Sequence, residues 1–207
     1  LLAYFAAPKK RDKACDLGTG CGIIPLLWCR DALAQHITAV EIQQAACEQV
    51  RAAIEACALE NKLSIVEADL RELKGRLPMG AWNLVTINPP YKALNAGIKS
   101  RGEADLIARH EVFCSLADAA AAASGLLNFG GRFCLCHRPE RLCEVFAAMR
   151  GTGIEPKRMR LVVQSPGKAP WLVLVEGRKG GKPGMKIEPE LLIQNEDGSY
   201  TEEMLAV

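Results

Sequence analysis

No apolar run in the 207-residue chain reaches membrane-spanning length. The longest, Leu116 to Leu127, is interrupted by Asp118, Ser124 and Gly125, and a spanning helix needs roughly 20 apolar residues. No basic segment precedes Leu1-Leu-Ala-Tyr-Phe, so no secretory leader is read there. The chain starts at Leu rather than Met, in what reads as the end of a helix, and a trimmed N-terminus is expected. Cys-x-x-Cys spacing is missing as well. The nine cysteines are odd in number and dispersed. That argues against a disulfide framework or a zinc cluster and for reduced thiols used as small apolar residues in a cytoplasmic protein. Cys134 and Cys136 alternate on one strand, share a face, and are read as packing. There is no internal repeat, no low-complexity segment and no histidine dyad placed for acid–base work. A net charge of +2 sets no bias toward one kind of partner. Neither a membrane nor a metal partner is expected.

What is present is alternation. Five strand-like runs, Lys13 to Leu17, His36 to Val40, Leu63 to Glu67, Trp82 to Ile87 and Arg132 to Cys136, alternate with helical patterns. Those patterns run from Ile23 to Leu33, Gln43 to Leu59, Leu106 to Leu126 and Arg141 to Met149. Pro25 is tolerated in the first turn of its helix, and Gly130-Gly131 is read as a turn into the fifth strand. Lys157 to Val163 and Pro170 to Glu176 read as a closing antiparallel pair. The expected fold class is therefore α/β: a single domain with a mostly parallel seven-stranded sheet, a closing antiparallel strand and helices on both faces. The expected division is a domain over 1–176 and an extended tail over 177–207, packed on the same domain. A chain of this length fits one domain with a substantial core.

The chemistry-bearing residues sit at successive strand ends. Lys13-Ala-Cys-Asp-Leu-Gly-Thr-Gly-Cys-Gly-Ile-Ile reads as strand, glycine turn and helix start. Gly18, Gly20 and Gly22 let the backbone bend tightly and approach a ligand, which the turn delivers to the helix beginning near Ile23. Such a turn serves NAD, FAD, S-adenosylmethionine or merely a tight bend, and here the third glycine comes one residue earlier than in Gly-x-Gly-x-x-Gly. Asp16, just before the turn, would repel phosphates and suits a cationic ligand. Glu41, about 20 residues on, is placed to take ribose hydroxyls, or else caps the following helix. Asp69 ends the third strand in the same phase, and could equally cap Leu70-Arg-Glu-Leu.

The fourth strand ends at Asn88-Pro89-Pro90-Tyr91. Two prolines fix φ and remove two donors, which leaves nearby carbonyls facing outward. One amide, one backbone carbonyl and one ring then meet at a rigid corner. Such a corner can accept both hydrogens of a planar amine and stack on the ring that carries it. A simple Asn-Pro turn is the plainer alternative.

Together these residues look like a class I S-adenosylmethionine-dependent methyltransferase of the amino-methylating type. Further blocks recur in order: Arg109-His110-Glu111, Cys136-His-Arg-Pro-Glu-Arg-Leu142, Glu155-Pro-Lys-Arg-Met-Arg160 and Leu174-Val-Glu-Gly-Arg-Lys-Gly-Gly181. With them, the chain resembles the bacterial tRNA1(Val) (adenine-37-N(6))-methyltransferase family over nearly its whole length. The resemblance implies a Rossmann-like methyltransferase domain, S-adenosyl-L-methionine as methyl donor, S-adenosyl-L-homocysteine as product and a tRNA substrate. It also implies a segment ahead of Leu1 that helps close the site. It assigns cofactor binding to Asp16, Gly18, Thr19, Gly20, Cys21, Gly22, Glu41, Ile42, Asp69, Leu70 and Asn88, with Asp69 accepting from the adenine amine. Asn88, Pro89 and Tyr91 become the catalytic corner.

Lys92, Lys99, Arg101, Arg109 and His110 follow that corner and, with Arg138, are candidates for binding the substrate backbone. Arg141, Lys157, Arg158 and Arg160 extend this possible phosphate rim. Interspersed Glu103, Asp105 and Glu111 leave a solvated mixed surface as the alternative. Lys92 departs from the aromatic or apolar residue many amino-methyltransferases carry there. His110 and His137 read as rim contacts or as buried or solvent-facing residues. A protein glutamine methyltransferase of the release-factor type also uses Asn-Pro-Pro-Tyr, and a non-catalytic cofactor-binding module is a third reading.

Overall fold

The computed structural model describes residues 1–31, 33–89 and 114–206. Among the described residues, nine strands form one sheet: β1 (Lys13–Leu17), β2 (His36–Glu41), β3 (Leu63–Glu67), β4 (Trp82–Ile87), β5 (Leu127–His137), β6 (Ile154–Val163), β7 (Pro170–Lys179), β8 (Lys186–Ile187) and β9 (Leu191–Leu192). Their order is β3-β2-β1-β4-β5-β7-β6-β8, with β9 also on β6. β1 to β5 pair in parallel, while β7 runs antiparallel between β5 and β6.

The helices are α1 (Leu2–Ala6), α2 (Ile23–Arg30), α3 (Gln44–Ala56), α4 (Leu116–Leu126), α5 (Leu142–Gly151) and α6 (Glu202–Leu205). Successive strand residues point to opposite faces, and the buried side chains sort accordingly. Ala14, Ala39, Leu84, Cys134 and Leu174 pack with Phe5, Trp28 and Val50 of α1, α2 and α3. Cys15, Val40, Val85, Phe133 and Val175 pack with Ala119, Ala123, Val145 and Met149 of α4 and α5. Both faces are thus covered, as a parallel sheet requires.

The sheet has nine strands where seven are expected. β8 and β9 lie in succession along the outer edge of β6, both parallel to it. Two-residue strands carry no readable period, yet they cover an edge that would otherwise present unpaired backbone groups. β5 is also longer than expected. Trp82 pairs with Leu127 while Leu84 pairs with Arg132, so residues 128–131 make an excursion where a turn is expected. Helix α4 begins at Leu116 because Ser115 and Asp118 form a capping box, with Ser115 Oγ accepting from Asp118 N at 3.1 Å and Ser115 N donating to Asp118 Oδ2 at 3.0 Å. Residues 106–113 of the longer helix expected there lie outside the described residues.

Arg158 and Arg160 serve the fold rather than a rim. Arg158 Nη2 donates to Phe5 O at 2.6 Å and to Glu176 Oε2 at 2.9 Å. Arg132 Nη1 donates to Ala6 O at 2.8 Å. The open carbonyls at the end of α1 are thereby satisfied by two guanidiniums that share the buried Glu176 carboxylate. Arg160 donates to Pro189 O at 2.8 Å and pairs with Glu203 of α6, and Lys157 donates to Lys182 O and Gly184 O. These cations sit inside β6, where unpaired chain carbonyls and carboxylates claim them. Glu176→Gln is expected to lower the unfolding free energy by about 2 kcal/mol, because charge-assisted bonds to both arginines weaken. Urea denaturation at pH 7 measures it.

Candidate cofactor and substrate site

The C-terminal ends of β1, β2, β3 and β4 share one edge of the sheet, where ligands of open α/β sheets bind. A cavity of about 420 Å³ opens there, lined by Gly18, Gly20, Glu41, Asp69, Asn88, Pro89 and apolar Val40, Ile42, Leu70 and Ile87, among others. Residues from four separate strand ends thus meet around one space.

The turn after β1 is left-handed at all three glycines, with φ of 60° at Gly18, 57° at Gly20 and 82° at Gly22. A Cβ at Gly18 or Gly20 would meet no atom within 4 Å; glycine is needed there for its backbone conformation, and the space beside it belongs to the cavity. At Gly22 a Cβ would lie 3.0 Å from Val50 Cγ2 of α3. Gly22→Ala combines that contact with an unfavourable φ and is expected to cost about 2 kcal/mol of stability, read by thermal or urea unfolding.

Glu41 is buried, and its carboxylate ties the turn to the start of α3. Oε2 accepts from Gly20 N at 2.9 Å; Oε1 accepts from Ile42 N at 2.9 Å and Gln43 N at 3.0 Å. These amides lie just ahead of α3, whose N-cap Gln43 has no side-chain cap bond, so the carboxylate braces the loop into the helix and does not cap its first turn. A carboxylate offers about four lone-pair sites, so acceptor capacity remains on the cavity side.

Asp69 behaves similarly. Its Oδ1 accepts from Arg71 N at 2.9 Å, capping the 3-10 turn Leu70–Glu72, and its two oxygens grip the Arg71 guanidinium. The hydrogen-bonded Arg71 holds the Asp69 carboxyl below its ordinary value.

Asp16 lies beneath the turn rather than in the cavity lining. Oδ2 accepts from Thr19 Oγ1 at 2.7 Å and Oδ1 from Thr86 Oγ1 at 2.6 Å. Burial pushes its carboxyl up from 3.8 to about 6, opposed by the Thr86 and Thr19 hydroxyls and assisted by the Glu41 charge. Cys21 and Gly22 do not line the cavity either.

Asn88 stands exposed just past β4, and Pro89 is buried. Cys136 Sγ of β5 donates to Asn88 Oδ1 at 3.0 Å, which fixes the amide oxygen on the side facing β5. Pro90, Tyr91, Lys92, Lys99, Arg101, Arg109 and His110 lie outside the described residues. Arg138 is exposed beyond the end of β5 at the same sheet edge, and Arg141 follows in a 3-10 turn. His137 is buried, with Nδ1 accepting from Arg138 N at 2.8 Å.

A model of the methyltransferase small domain matches residues 1–111. The chain belongs to that family. A tRNA1(Val) (adenine(37)-N6)-methyltransferase of Cronobacter sakazakii is 28% identical over 97% of this chain and 80% of its own length. Among solved structures, a protein of Agrobacterium tumefaciens described as a predicted O-methyltransferase superposes with a TM-score of 0.78 at 21% identity, covering 98% of this chain and 91% of that one. A geranyl diphosphate C-methyltransferase of Streptomyces coelicolor, solved with S-adenosyl-L-homocysteine, gives a TM-score of 0.63 at 13% identity, covering 86% of this chain and 79% of that one. The last two likenesses concern the fold.

Sequence reasoning missed several wall residues of this methyltransferase. Val40, Gln43, Ala68, Ile87 and Cys114 also line the cavity. Gln43 had a signal, being two residues past a strand-end acid. Cys114 had only its position before the Ser115 capping box. Burial raises its thiol to about 11, which keeps it an unreactive wall. Among the described residues, no group of three or more His, Cys, Asp or Glu could hold a metal ion, and no helix is long and apolar enough to cross a membrane.

Proposed function

We propose that this chain transfers a methyl group from S-adenosyl-L-methionine to the exocyclic amine of an adenine in tRNA, at position 37 of a valine tRNA. The observation that carries the reading is that Asn88 and Pro89 line the same cavity as Gly18, Gly20, Glu41 and Asp69. The cavity suits the donor: open space at the glycine turn, carboxylates for hydroxyls and an amine, and apolar Ile42 and Leu70 for a flat ring. When bound, that group supplies an already activated methyl carbon, so no strong general base is required.

The chain's own part is orientation. Asn88 Oδ1 and the Pro89 carbonyl accept the two amine hydrogens, leaving the nitrogen lone pair free to face the methyl carbon. Cys136 Sγ donates to Oδ1 and orients it, and an amide oxygen carries two lone pairs. Tyr91 contributes a ring for stacking, worth about 1–3 kcal/mol. Fixed acceptors stabilise the partial positive charge that develops on nitrogen. An adenine in folded RNA must first be turned out to reach this corner. The name of the Cronobacter relative favours tRNA over protein, and nine free thiols fit a cytoplasmic protein.

The test is methyl transfer from labelled S-adenosyl-L-methionine to unmodified bulk tRNA and, in parallel, to a glutamine-bearing release-factor fragment. Label in the RNA alone is expected. Label in the protein alone would replace the adenine reading with the glutamine one.

A further inference from the structure

β6 and β7 meet in a hairpin, 164–169, that leaves the sheet at the same edge as the candidate site. β6 runs parallel to the first five strands in sense, so Val163 ends on the same sheet edge as the exits of β4 and β5, with β7 between β5 and β6. Val162 pairs with Leu172 but Val163 pairs with Pro170. The bulge leaves Trp171 without a ladder partner, and such irregularities re-aim a side chain beside functional sites. The chain's three tryptophans divide sharply: Trp28 is 1% and Trp82 5% exposed, whereas Trp171 is 39% exposed.

The surroundings carry exposed cations and are tied together. Arg138, leaving β5, donates from Nη1 to Trp171 O at 3.4 Å. Lys168 is exposed at the hairpin tip, whose turn is closed by Lys168 N to Ser165 O at 3.2 Å. Residues 164–171 contain no acid; Glu140 lies beside Arg138, Glu144 is paired with Arg141, and the turn after Gln194, which bonds Gln164 on the β9 side, carries exposed Glu196 and Asp197. Adjacent strands lie about 4.8 Å apart, so β7 stands about 10 Å to the side of β4 and Asn88. That is the region a nucleotide flanking a turned-out base must cross, and enzymes acting on such bases read those flanking nucleotides.

We infer that Trp171 is a stacking platform for a base flanking the target adenine, with Lys168 and Arg138 holding its phosphates. The inference rests on the adenine reading for its substrate, and it assigns RNA contact to a hairpin remote in sequence from Asn88. Aromatic rings and guanidiniums are the usual partners of splayed single-stranded bases.

Tryptophan fluorescence and steady-state kinetics with unmodified tRNA test it. Trp28 and Trp82 are buried, so tRNA is expected to quench chiefly Trp171. Trp171→Ala should raise KM for tRNA about tenfold, as loss of one stacking contact implies, with cofactor affinity and melting temperature unchanged. Trp171→Phe should recover most of the loss, and Lys168→Glu should raise KM and flatten its salt dependence. Unchanged KM in Trp171→Ala, or a Phe variant as impaired as Ala, would overturn the inference. Quenching by tRNA with no methyladenosine formed would support the platform and reject the adenine reading. Methyladenosine formed without quenching would do the reverse.

Discussion

Asn88→Ala is expected to lower the methylation rate by more than about tenfold while cofactor affinity stays nearly unchanged. The side chain stands past the end of β4, and its oxygen is held by Cys136. In the proposed reaction that oxygen accepts an amine hydrogen and stabilises charge that exists only as the new bond forms. Its loss therefore falls on the rate rather than on binding of the methyl donor. Single-turnover kinetics together with calorimetric cofactor titration separate the two. Loss of cofactor binding in a folded Asn88→Ala protein would contradict the assigned role. Asn88 is exposed, so truncation removes little buried surface, and a folding defect is not expected to obscure the result.

The second large effect concerns Asp16 and pH. Its carboxyl titrates near 6 in the folded protein against 3.8 for the free group. The folded state therefore holds this proton more tightly than the unfolded one. The resulting stabilisation is complete below about 3.8 and is lost as pH rises through about 6. At pH 8 the buried anion costs on the order of 3 kcal/mol relative to its protonated form, since each pKa unit is about 1.4 kcal/mol. Asp16→Asn removes the titration, and both threonine hydroxyls can rotate to suit an amide. The variant without cofactor should be more stable than the parent at pH 8, with the advantage vanishing toward pH 4. Urea denaturation across pH 4–8 reads this directly, and a difference independent of pH would refute it. The anion is useful beneath a cationic ligand, so cofactor affinity should fall in Asp16→Asn. In the parent chain it should weaken as pH drops through about 6.

Much of this architecture was legible in the sequence because its signals are local. Gly18, Gly20 and Gly22 form the tight turn expected of them, each in the left-handed conformation. Glu41 and Asp69 stand at strand ends around one cavity, each after a short apolar run that reads as a strand in phase with β1. What escaped was long-range. Arg158 looks like a surface cation until α1 offers it Phe5 O, across 153 positions of sequence. The partners of Asp16 are equally hidden: Thr86, 70 positions away, donates to one of its oxygens. Cys136 reads as plain packing, and only the pairing of β4 with β5 brings its thiol to Asn88. The short strands β8 and β9 depend on the free edge of β6 rather than on any pattern of their own.

Nucleoside mass spectrometry tests the central claim most directly. The protein is incubated with methyl-labelled S-adenosyl-L-methionine and unmodified bulk tRNA, and the digested RNA is analysed. The account predicts labelled N(6)-methyladenosine, mapping to position 37 of a valine tRNA. Protein that binds the cofactor yet leaves no labelled nucleoside would contradict it.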